Sequence, residues 1–367
     1  MDASLLHRDL YAPARIGGCA VNNRIIMAPL TRSRADRDGL VWDMTALYYA
    51  QRASAGLIVS EAIAVSPTAH GYAWTPGLYT RGQIDAWSKV TRVVHRNGGH
   101  FFAQIWHGGR IGHPSLIPGG KRPIAPSAIK PEGQAFTFNG LQEMVTPRAA
   151  TLFEISELKS DFVHAAEAAM EAGFDGVEIH AANGYLIDQF LRDKANKRRD
   201  QYGGSIENRC RFALDVAEAI ARSIGPDYVG IRLSPLNPFN DISDSQPRHL
   251  FRYLVSALSD LGLAYIHIIE DVPHQEIDAN TAFDLDELRP LFRGAYMVNG
   301  GYDAKRAEMS IETGRADFVS FGRAYISNPD LVERFIADAP LMEADRDLYY
   351  AGGAHGYIDY PAMSAAH

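Results

Sequence analysis

The run GVEIHA at residues 176–181 decides the fold together with YVGIRLS at residues 228–234, the next run of its kind along the chain. Both runs are short, rich in Val and Ile, and nearly continuous in apolarity, which is typical of parallel strands buried on both faces. Six further runs share this character, and they lie at residues 24–30, 57–63, 100–107, 265–270, 296–301 and 318–325.

Longer amphipathic segments separate these runs and predict helices. Because crossovers between parallel strands are right-handed, eight strand–helix repeats predict a closed (β/α)8 barrel, also called a TIM barrel. An open doubly wound sheet is the alternative, but no GxGxxG pattern follows the first run. The predicted helices lie at residues 45–55, 83–97, 157–172, 207–224, 247–261, 284–291 and 305–313.

Two segments depart from the repeat. Residues 14–22 (ARIGGCAVN) predict a hairpin ahead of the first strand that closes the N-terminal mouth of the barrel. Residues 108–155 form a long Gly- and Pro-rich excursion, in which residues 136–141 predict a hairpin with an Asn-Gly turn. Loops of this length are uncommon unless functional, so we expect the excursion to cap the active-site mouth. No linker interrupts the pattern, and residues 1–367 are expected to form a single domain.

Composition narrows the class of protein. The chain has 46% hydrophobic residues and a net charge of −8 that is spread over short patches, as in an ordinary globular protein. Without a basic stripe or a Lys/Arg-rich amphipathic helix, no nucleic-acid or membrane partner is expected. The first 18 residues do not resemble a signal peptide. Cys19 and Cys210 have no CxxC partners, which argues against a disulfide framework, a zinc site or an iron–sulfur cluster and favours a reducing cytoplasm.

The chemistry is expected at the C-terminal ends of the strands, where barrels carry their catalytic groups. The last two predicted strands end in Gly300-Gly301 and Gly322-Arg323. Glycines let backbone N–H groups approach an anion and Arg323 adds a positive charge, so these pairs predict a phosphate site. The alternative is that the glycines serve turn geometry alone.

Residues 180–193 (HAANGYLIDQFLRD), with their continuation to residue 209, closely resemble the signature of the Old Yellow Enzyme family of FMN-dependent ene-reductases. The resemblance covers nearly the whole chain in order. It implies a TIM barrel that binds FMN noncovalently and uses NADPH or NADH as reductant. The other matching motifs are MAPLTR at 27–32, QIWH at 104–107, IRLSP at 231–235, FGR at 321–323 and GYIDYP at 356–361.

By this resemblance, several strand ends would hold the flavin. Arg232 would lie beside N1 and O2, where a fixed guanidinium stabilises negative charge; a structural ion pair is the alternative. Tyr350 would flank the dimethylbenzene edge, and surface packing is its alternative. The pyrimidine contacts would come from Pro29, Ala62 and Gln104, the bond to O4 from Thr31, and the phosphate contacts from Gly300, Gly301, Gly322 and Arg323.

His180 and Asn183 present two hydrogen-bond donors three residues apart where the fourth strand ends. Such a pair can hold one carbonyl or nitro oxygen and stabilise the charge that hydride addition creates. Tyr185 is the expected proton donor because its phenol is neutral at pH 7. The alternatives are a structural histidine and a tyrosine that only packs in the core. Tyr72 and Trp106 are expected to shape the substrate cavity.

The expected reaction is ping-pong transfer of hydride from NADPH or NADH through FMN to an enone, enal, maleimide or nitroalkene, with nitro or nitrate-ester reduction as a further activity. A monomer or a homodimer would suit it. The alternatives are a metal-dependent hydrolase using His107, His180 and His267, a flavin-binding scaffold without turnover, and a larger iron–sulfur relative. Two cysteines and the lack of a predicted second domain exclude the last of these. Residues 271–284 look short and unfamiliar for the family, so no contact is assigned to them.

Overall fold

Eight parallel strands close into a barrel within residues 9–271 and 278–363, which are the residues that the computed structural model describes. Each strand pairs with the next, and the last strand returns to the first through Val319 opposite Ile25. The predicted TIM barrel is therefore confirmed, and the open sheet is wrong because the first and last strands pair. In chain order the barrel strands are β3 (Ile25–Met27), β4 (Leu57–Ala64), β5 (Phe101–Trp106), β10 (Gly176–Ala181), β11 (Val229–Leu233), β12 (Tyr265–Ile269), β13 (Ala295–Asn299) and β14 (Phe318–Phe321).

Six further strands lie outside the barrel, and nine α-helices surround or follow it in the described part of the chain. The predicted helices pack on the outer face of the barrel, where their apolar faces and those of the strands form one large core. The outer strands are β1 (Ala14–Ile16), β2 (Cys19–Val21), β6 (Ile124–Ala125), β7 (Gln134–Thr137), β8 (Gly140–Glu143) and β9 (Arg148–Ala149). The helices are α1 (Asp43–Ala50), α2 (Arg81–Arg96), α3 (Leu152–Glu171), α4 (Leu186–Leu191), α5 (Ile206–Ile224), α6 (Pro247–Asp260), α7 (Ala304–Glu312), α8 (Arg323–Ser327) and α9 (Leu331–Ile336).

Several predicted bounds differ from the structure: the first strand ends at Met27 rather than at residue 30, and the first helix ends at Ala50 rather than at residue 55. Two further differences have a clear local cause. The expected helix at residues 284–291 is a 3₁₀ helix, Leu285–Leu291. Pro290 explains the difference, because its ring would clash with a carbonyl one turn earlier in an α-helix. The last strand ends at Phe321 rather than at residue 325, because Gly322 caps the short helix α8. Of the unfamiliar stretch at 271–284, residues 272–277 lie outside the described residues.

The predicted hairpin at residues 14–22 is confirmed as β1 paired with β2. Its side chains Ile16, Cys19 and Val21 are buried against the N-terminal ends of the barrel strands, together with Phe102 and Tyr265. The hairpin therefore closes the lower end of the barrel and leaves the opposite end for the site.

The excursion after β5 lies over the C-terminal ends of the strands, as predicted. Its hairpin pairs β7 with β8, and the backbone N–H of Ala73 donates to the carbonyl of Phe136 at 3.0 Å. The turn differs in detail, because Phe138 and Asn139 form the loop and Gly140, with φ +87°, begins the returning strand. A type I turn followed by a left-handed glycine has this form.

No helix in the described ranges combines the length and the apolarity needed to cross a bilayer.

Gly176 at the start of β10 supplies a test of the barrel packing. An added Cβ would lie 2.5 Å from the ring of Phe102 and 2.6 Å from the carbonyl oxygen of Tyr228. We expect Gly176→Ala to lower the free energy of unfolding by about 1–3 kcal/mol, because a packed barrel cannot absorb the extra carbon without strain.

Gly82 on α2 is the matched control, since its added Cβ would meet only a side-chain carbon of Leu40 at 3.6 Å. Gly82→Ala should stabilise the protein by up to about 1 kcal/mol through helix propensity. Urea unfolding of both variants and the parent checks this, and equal midpoints for Gly176→Ala and the parent would contradict the packing.

Candidate active site

Two adjoining cavities of about 630 and 480 Å³ open at the C-terminal ends of the barrel strands. These volumes lie in the range of small-molecule and cofactor sites. The cavities share lining residues, so they form one continuous depression, which we call the trough. The shared residues are Pro29, Leu30, Arg232, Arg323 and Tyr349.

The larger half of the trough has the features of an anion site. Gly300 and Gly301 line it with positive φ values of 135° and 61°, and the backbone of Asp271 fills the space beside Gly300. Gly322 and Arg323 come directly after the neighbouring strand β14, where Gly322 caps α8 and Arg323 is its first residue. Arg323 is exposed and forms no ion pair within the described residues, so its charge is available to a phosphate.

Arg232 lies at the junction of the two halves. One of its terminal nitrogens donates to Asn299 Oδ1 at 2.8 Å, and Asn299 in turn donates to the carbonyl of Ser320 at 2.9 Å. The Nε of Arg232 is buried and has no hydrogen-bond partner among the described residues. Such an orphaned donor is costly unless a bound group accepts from it. The guanidinium is thus held in place by one hydrogen bond, with donors that include Nε–H left for a ligand.

A buried carboxylate lies behind Gln104, which lines the trough. Glu178 accepts hydrogen bonds from Gln104 Nε2 at 2.8 Å and from the Tyr265 hydroxyl at 3.0 Å, and His267 Nδ1 lies 2.8 Å from it. Burial alone would raise the pKa of Glu178, but His267 and Arg232 hold it below its ordinary value. Because an ionised carboxylate only accepts, Gln104 must turn its N–H₂ toward Glu178 and its oxygen toward the trough.

The smaller half of the trough brings together the predicted reaction residues. His180, Asn183, Tyr185 and Tyr72 all line it, and the hydroxyls of Tyr72 and Tyr185 are 2.9 Å apart. The rings of His180 and Tyr185 meet edge to face with centroids 4.9 Å apart. His180 Nδ1 is buried without a hydrogen-bond partner among the described residues. A donor pair and a phenol therefore face one small cavity.

Burial controls the protonation of these groups. It lowers the pKa of His180 to about 3, and the nearby Arg232 acts in the same direction. It raises the pKa of Tyr185 well above its ordinary value, with the Tyr72 hydroxyl adding to the effect. At neutral pH the imidazole is consequently uncharged and the phenol retains its proton.

The other predicted residues fall at the edges of the trough. Pro29, Thr31, Ala62 and Gln104 line the wall on the side of the first strands, and half-exposed Tyr350 stands at the mouth. Trp106 does not line the cavity: it is buried behind it, stacked on Tyr72 at 5.9 Å and edge-on to Tyr185 at 5.2 Å. Phe136 of the capping hairpin closes the remaining side.

Two arginines hold the C-terminal segment against the trough. Arg32 donates to the carbonyls of Tyr349 at 2.9 Å and Gly356 at 2.7 Å. Arg34 donates to the carbonyls of Gly353 at 2.7 Å and Tyr349 at 3.1 Å. The wall formed by Tyr349 and Tyr350 is therefore fixed by residues that follow the first barrel strand.

Sequence reasoning missed Glu178, Asn237, Phe239 and Asn299. Glu178 had a usable signal, because it lies two residues before His180 and so shares its face of the strand. Asn299 directly precedes the predicted glycine pair. Asn237 and Phe239 lie in an irregular segment after β11, where no periodicity marks a buried contact.

Two of the three histidines in the metal-hydrolase alternative are already engaged. The ring nitrogens of His267 lie 2.8 Å from Glu178 and 2.7 Å from Ser320 Oγ. His107 Nδ1 accepts from the backbone N–H of Gly109 at 2.9 Å. These contacts give both side chains a structural role.

Residues 9–341 match the family described as "NADH:flavin oxidoreductase / NADH oxidase family". The chain is 41% identical to 12-oxophytodienoate reductase 2 of Arabidopsis thaliana, over 97% of this chain and 96% of that protein. It is 41% identical to the probable flavin mononucleotide-dependent alkene reductase of Leishmania infantum, over 96% and 97% of the two chains.

Solved structures of similar proteins share both the sequence pattern and the fold of this chain. The old yellow enzyme homologue from Zymomonas mobilis is 42% identical, with a TM-score of 0.93 over 97% of this chain and 100% of that chain. Morphinone reductase in complex with tetrahydroNAD is 44% identical, with a TM-score of 0.92 over 98% and 99%.

The lowered pKa of His180 predicts a pH dependence of stability. Unfolded histidine titrates near pH 6.5, whereas the folded side chain has a pKa of about 3. Between these values only the unfolded state binds the proton, so the free energy of unfolding falls as the pH falls. His180 should contribute up to about 1.4 kcal/mol per pH unit to this loss. Urea unfolding of the parent and His180→Asn between pH 7 and 4.5 should show a shallower slope for the variant; parallel slopes would mean that folded His180 is protonated.

Proposed function

The chain belongs to the NADH:flavin oxidoreductase / NADH oxidase family and is an FMN-dependent alkene reductase of the old yellow enzyme type, and we propose that it uses NADPH or NADH to reduce the activated double bond of an enone, enal, maleimide or nitroalkene. The observation that carries the proposal is the donor pair His180 and Asn183 beside Tyr185 in one cavity. Nitro and nitrate-ester reduction would use the same cavity.

The trough fits FMN, because its orphaned donors and unpaired charge correspond to the polar parts of that molecule. Bound FMN would accept hydride from the nicotinamide and deliver it to the substrate. Arg232 offers its free Nε to the electron-rich edge of the ring, and Gln104 offers its oxygen to the imide N–H. The remaining noncovalent contacts would come from Pro29, Thr31, Ala62 and Tyr350 along the ring and from Gly300, Gly301, Gly322 and Arg323 at the phosphate.

His180 and Asn183 would bind one oxygen of the substrate. The two side chains flank the same cavity. Because the pKa of His180 is lowered to about 3, its imidazole keeps one N–H donor and one acceptor, without a change of charge, across the working pH range. Donors that are already in place stabilise the negative charge that develops on the oxygen when hydride reaches the β-carbon. This contact also orients the double bond.

Tyr185 would donate a proton to the α-carbon. Its raised pKa keeps the phenol protonated, and its ring is held between His180 and Trp106. The hydroxyl of Tyr72, 2.9 Å away, provides a hydrogen-bonded neighbour for the oxygen that loses the proton. Tyr72 would also form the cavity wall, with Trp106 supporting it from behind.

Nicotinamide and substrate would take turns in the cavity, since the carboxamide of one and the carbonyl of the other both present an oxygen to the same donors. Morphinone reductase is known in complex with tetrahydroNAD, a nicotinamide dinucleotide analogue. We further propose that residues 1–367 form one FMN-binding domain, active as a monomer or homodimer in the cytoplasm. Cys19 and Cys210 are free and buried, which suits a reducing compartment.

Arg323→Ala should weaken FMN binding by about one to two decades, because a charge-assisted contact to phosphate is worth roughly 1.5–3 kcal/mol. The parent protein should be yellow and release FMN, about one per chain, on denaturation. Titration of apoprotein with FMN measures the dissociation constants, with exposed Arg96→Ala on α2 as control. Equal constants for the parent and Arg323→Ala would remove Arg323 from the phosphate site, and release of FAD would overturn the cofactor assignment.

Tyr185→Phe should separate proton donation from the other functions of the site, because it keeps the ring and deletes the hydroxyl. Reduction of the bound FMN by NADPH should stay near the parental rate. Reoxidation by cyclohexenone needs the α-carbon proton, and should slow by about 10²–10⁴-fold. Stopped-flow absorbance measures each half-reaction.

A nitroalkene provides the control for this variant, since its nitro group stabilises the charge itself and should still reoxidise the flavin rapidly. Equal slowing of both half-reactions would show that Tyr185 is structural. An unchanged rate with cyclohexenone would assign the proton to another donor.

A further inference from the structure

Asn183 can assist the substrate only when its amide faces in one direction. A carboxamide has an accepting oxygen and a donating nitrogen, and only the nitrogen can bind a substrate carbonyl. If the amide were reversed, its oxygen would lie against the substrate oxygen and repel it. The orientation of this one side chain therefore decides whether the cavity attracts or rejects a carbonyl compound.

A short chain of hydrogen bonds sets that orientation from behind. The backbone N–H of Phe239 donates to Asn237 Oδ1 at 2.9 Å, and Asn237 Nδ2 donates to Asn183 Oδ1 at 2.7 Å. A backbone N–H can only donate, so Asn237 must accept with its oxygen and donate with its nitrogen. Asn183 then accepts with its oxygen, and its Nδ2 remains for the cavity, which Asn183 lines.

The backbone of Asn183 is held by the same segment. Its N–H donates to Ser234 Oγ at 2.8 Å, and its carbonyl accepts from Asn240 Nδ2 at 2.8 Å. Asn183 has φ +58°, a left-handed conformation that needs such support. Asn237 itself is buried and does not line the cavity. It can therefore act on a ligand only through Asn183.

We propose that Asn237 is a positioning residue that fixes the polarity of the Asn183 amide and thereby makes the cavity selective for ligands that present an accepting oxygen. The proposal rests on the oxygen-binding role of Asn183 in the proposed function. The segment that follows β11 would thus influence substrate choice indirectly, through Asn183, although Asn237 itself touches no substrate.

Asn237→Asp is the decisive variant, because a carboxylate has nearly the same shape but can only accept. One of its oxygens can still accept from Phe239, while the other would require Asn183 to turn its N–H₂ inward. The probe is phenol, titrated into the oxidised FMN-loaded enzyme and followed by the long-wavelength absorbance of its bound phenolate, whose oxygen can only accept hydrogen bonds. We expect the affinity for phenol to fall by about 10- to 100-fold, which corresponds to losing one hydrogen bond to a charged or strongly polar oxygen.

The added charge could also weaken phenol binding directly, and a double-mutant cycle with Asn183→Ala separates the two effects. If Asn237 acts through Asn183, the Asp substitution should change the affinity less than about twofold in the Asn183→Ala background. A full 10- to 100-fold loss in that background would overturn the proposal. FMN dissociation constants and thermal midpoints are measured for every variant, and we expect FMN binding within about twofold of the parent.

Asn237→Ala provides a second, uncharged test if the Asp variant does not fold. It frees the Asn183 amide to adopt both orientations, so phenol affinity should fall less, by about 2- to 10-fold. Unchanged phenol affinity in both folded Asn237 variants, with a loss in Asn183→Ala, would overturn the positioning role alone. Unchanged affinity in Asn183→Ala itself would instead refute the proposed function of the oxygen-binding pair.

Discussion

The buried carboxylate of Glu178 is the constraint on which the upper half of the barrel depends. A charge in this position is tolerated only when donors surround it, and the barrel supplies them from β5 and β12. The other ring nitrogen of His267, Nε2, lies within hydrogen-bond distance of Ser320 Oγ on β14. One carboxylate therefore ties four strands together immediately below the trough. Loss of any one of these partners would raise the cost of the buried charge, which resists independent movement of the strands.

Two amides that line the trough, those of Gln104 and Asn183, are oriented in a similar way. Each is oriented, directly or through one neighbour, by a group that can only accept or only donate a hydrogen bond. Gln104 is turned by Glu178, which only accepts, and Asn183 is turned through Asn237 by the N–H of Phe239, which only donates. The arrangement of donors and acceptors that a ligand meets is thus set by buried groups behind the cavity wall, which the ligand does not touch. Rigid support of this kind is what a catalytic site requires.

The barrel could be predicted from sequence because strands buried on both faces leave an apolar signature, as in residues 228–234. The meeting of His180, Asn183 and Tyr185 in one cavity could be predicted because they lie at or just after the end of such a strand at short spacing and match a family signature. The helix at 284–291 was wrong because a single proline outweighs an amphipathic pattern. Asn237 could not be predicted, because its role depends on the path of an irregular segment in space. The position of Trp106 behind the cavity, rather than in it, likewise depends on packing between distant elements.

The clamp of Arg32 and Arg34 on the segment that carries Tyr349 and Tyr350 has a consequence for cofactor retention. The residues proposed to hold flavin and substrate follow several different barrel strands, whereas the wall of Tyr349 and Tyr350 lies in a segment beyond the last of these strands. The barrel strands can pair before this segment docks, but until it docks the trough lacks that wall. Docking of the segment would therefore be coupled to retention of the cofactor, and a bound cofactor would in turn stabilise the docked segment by mass action.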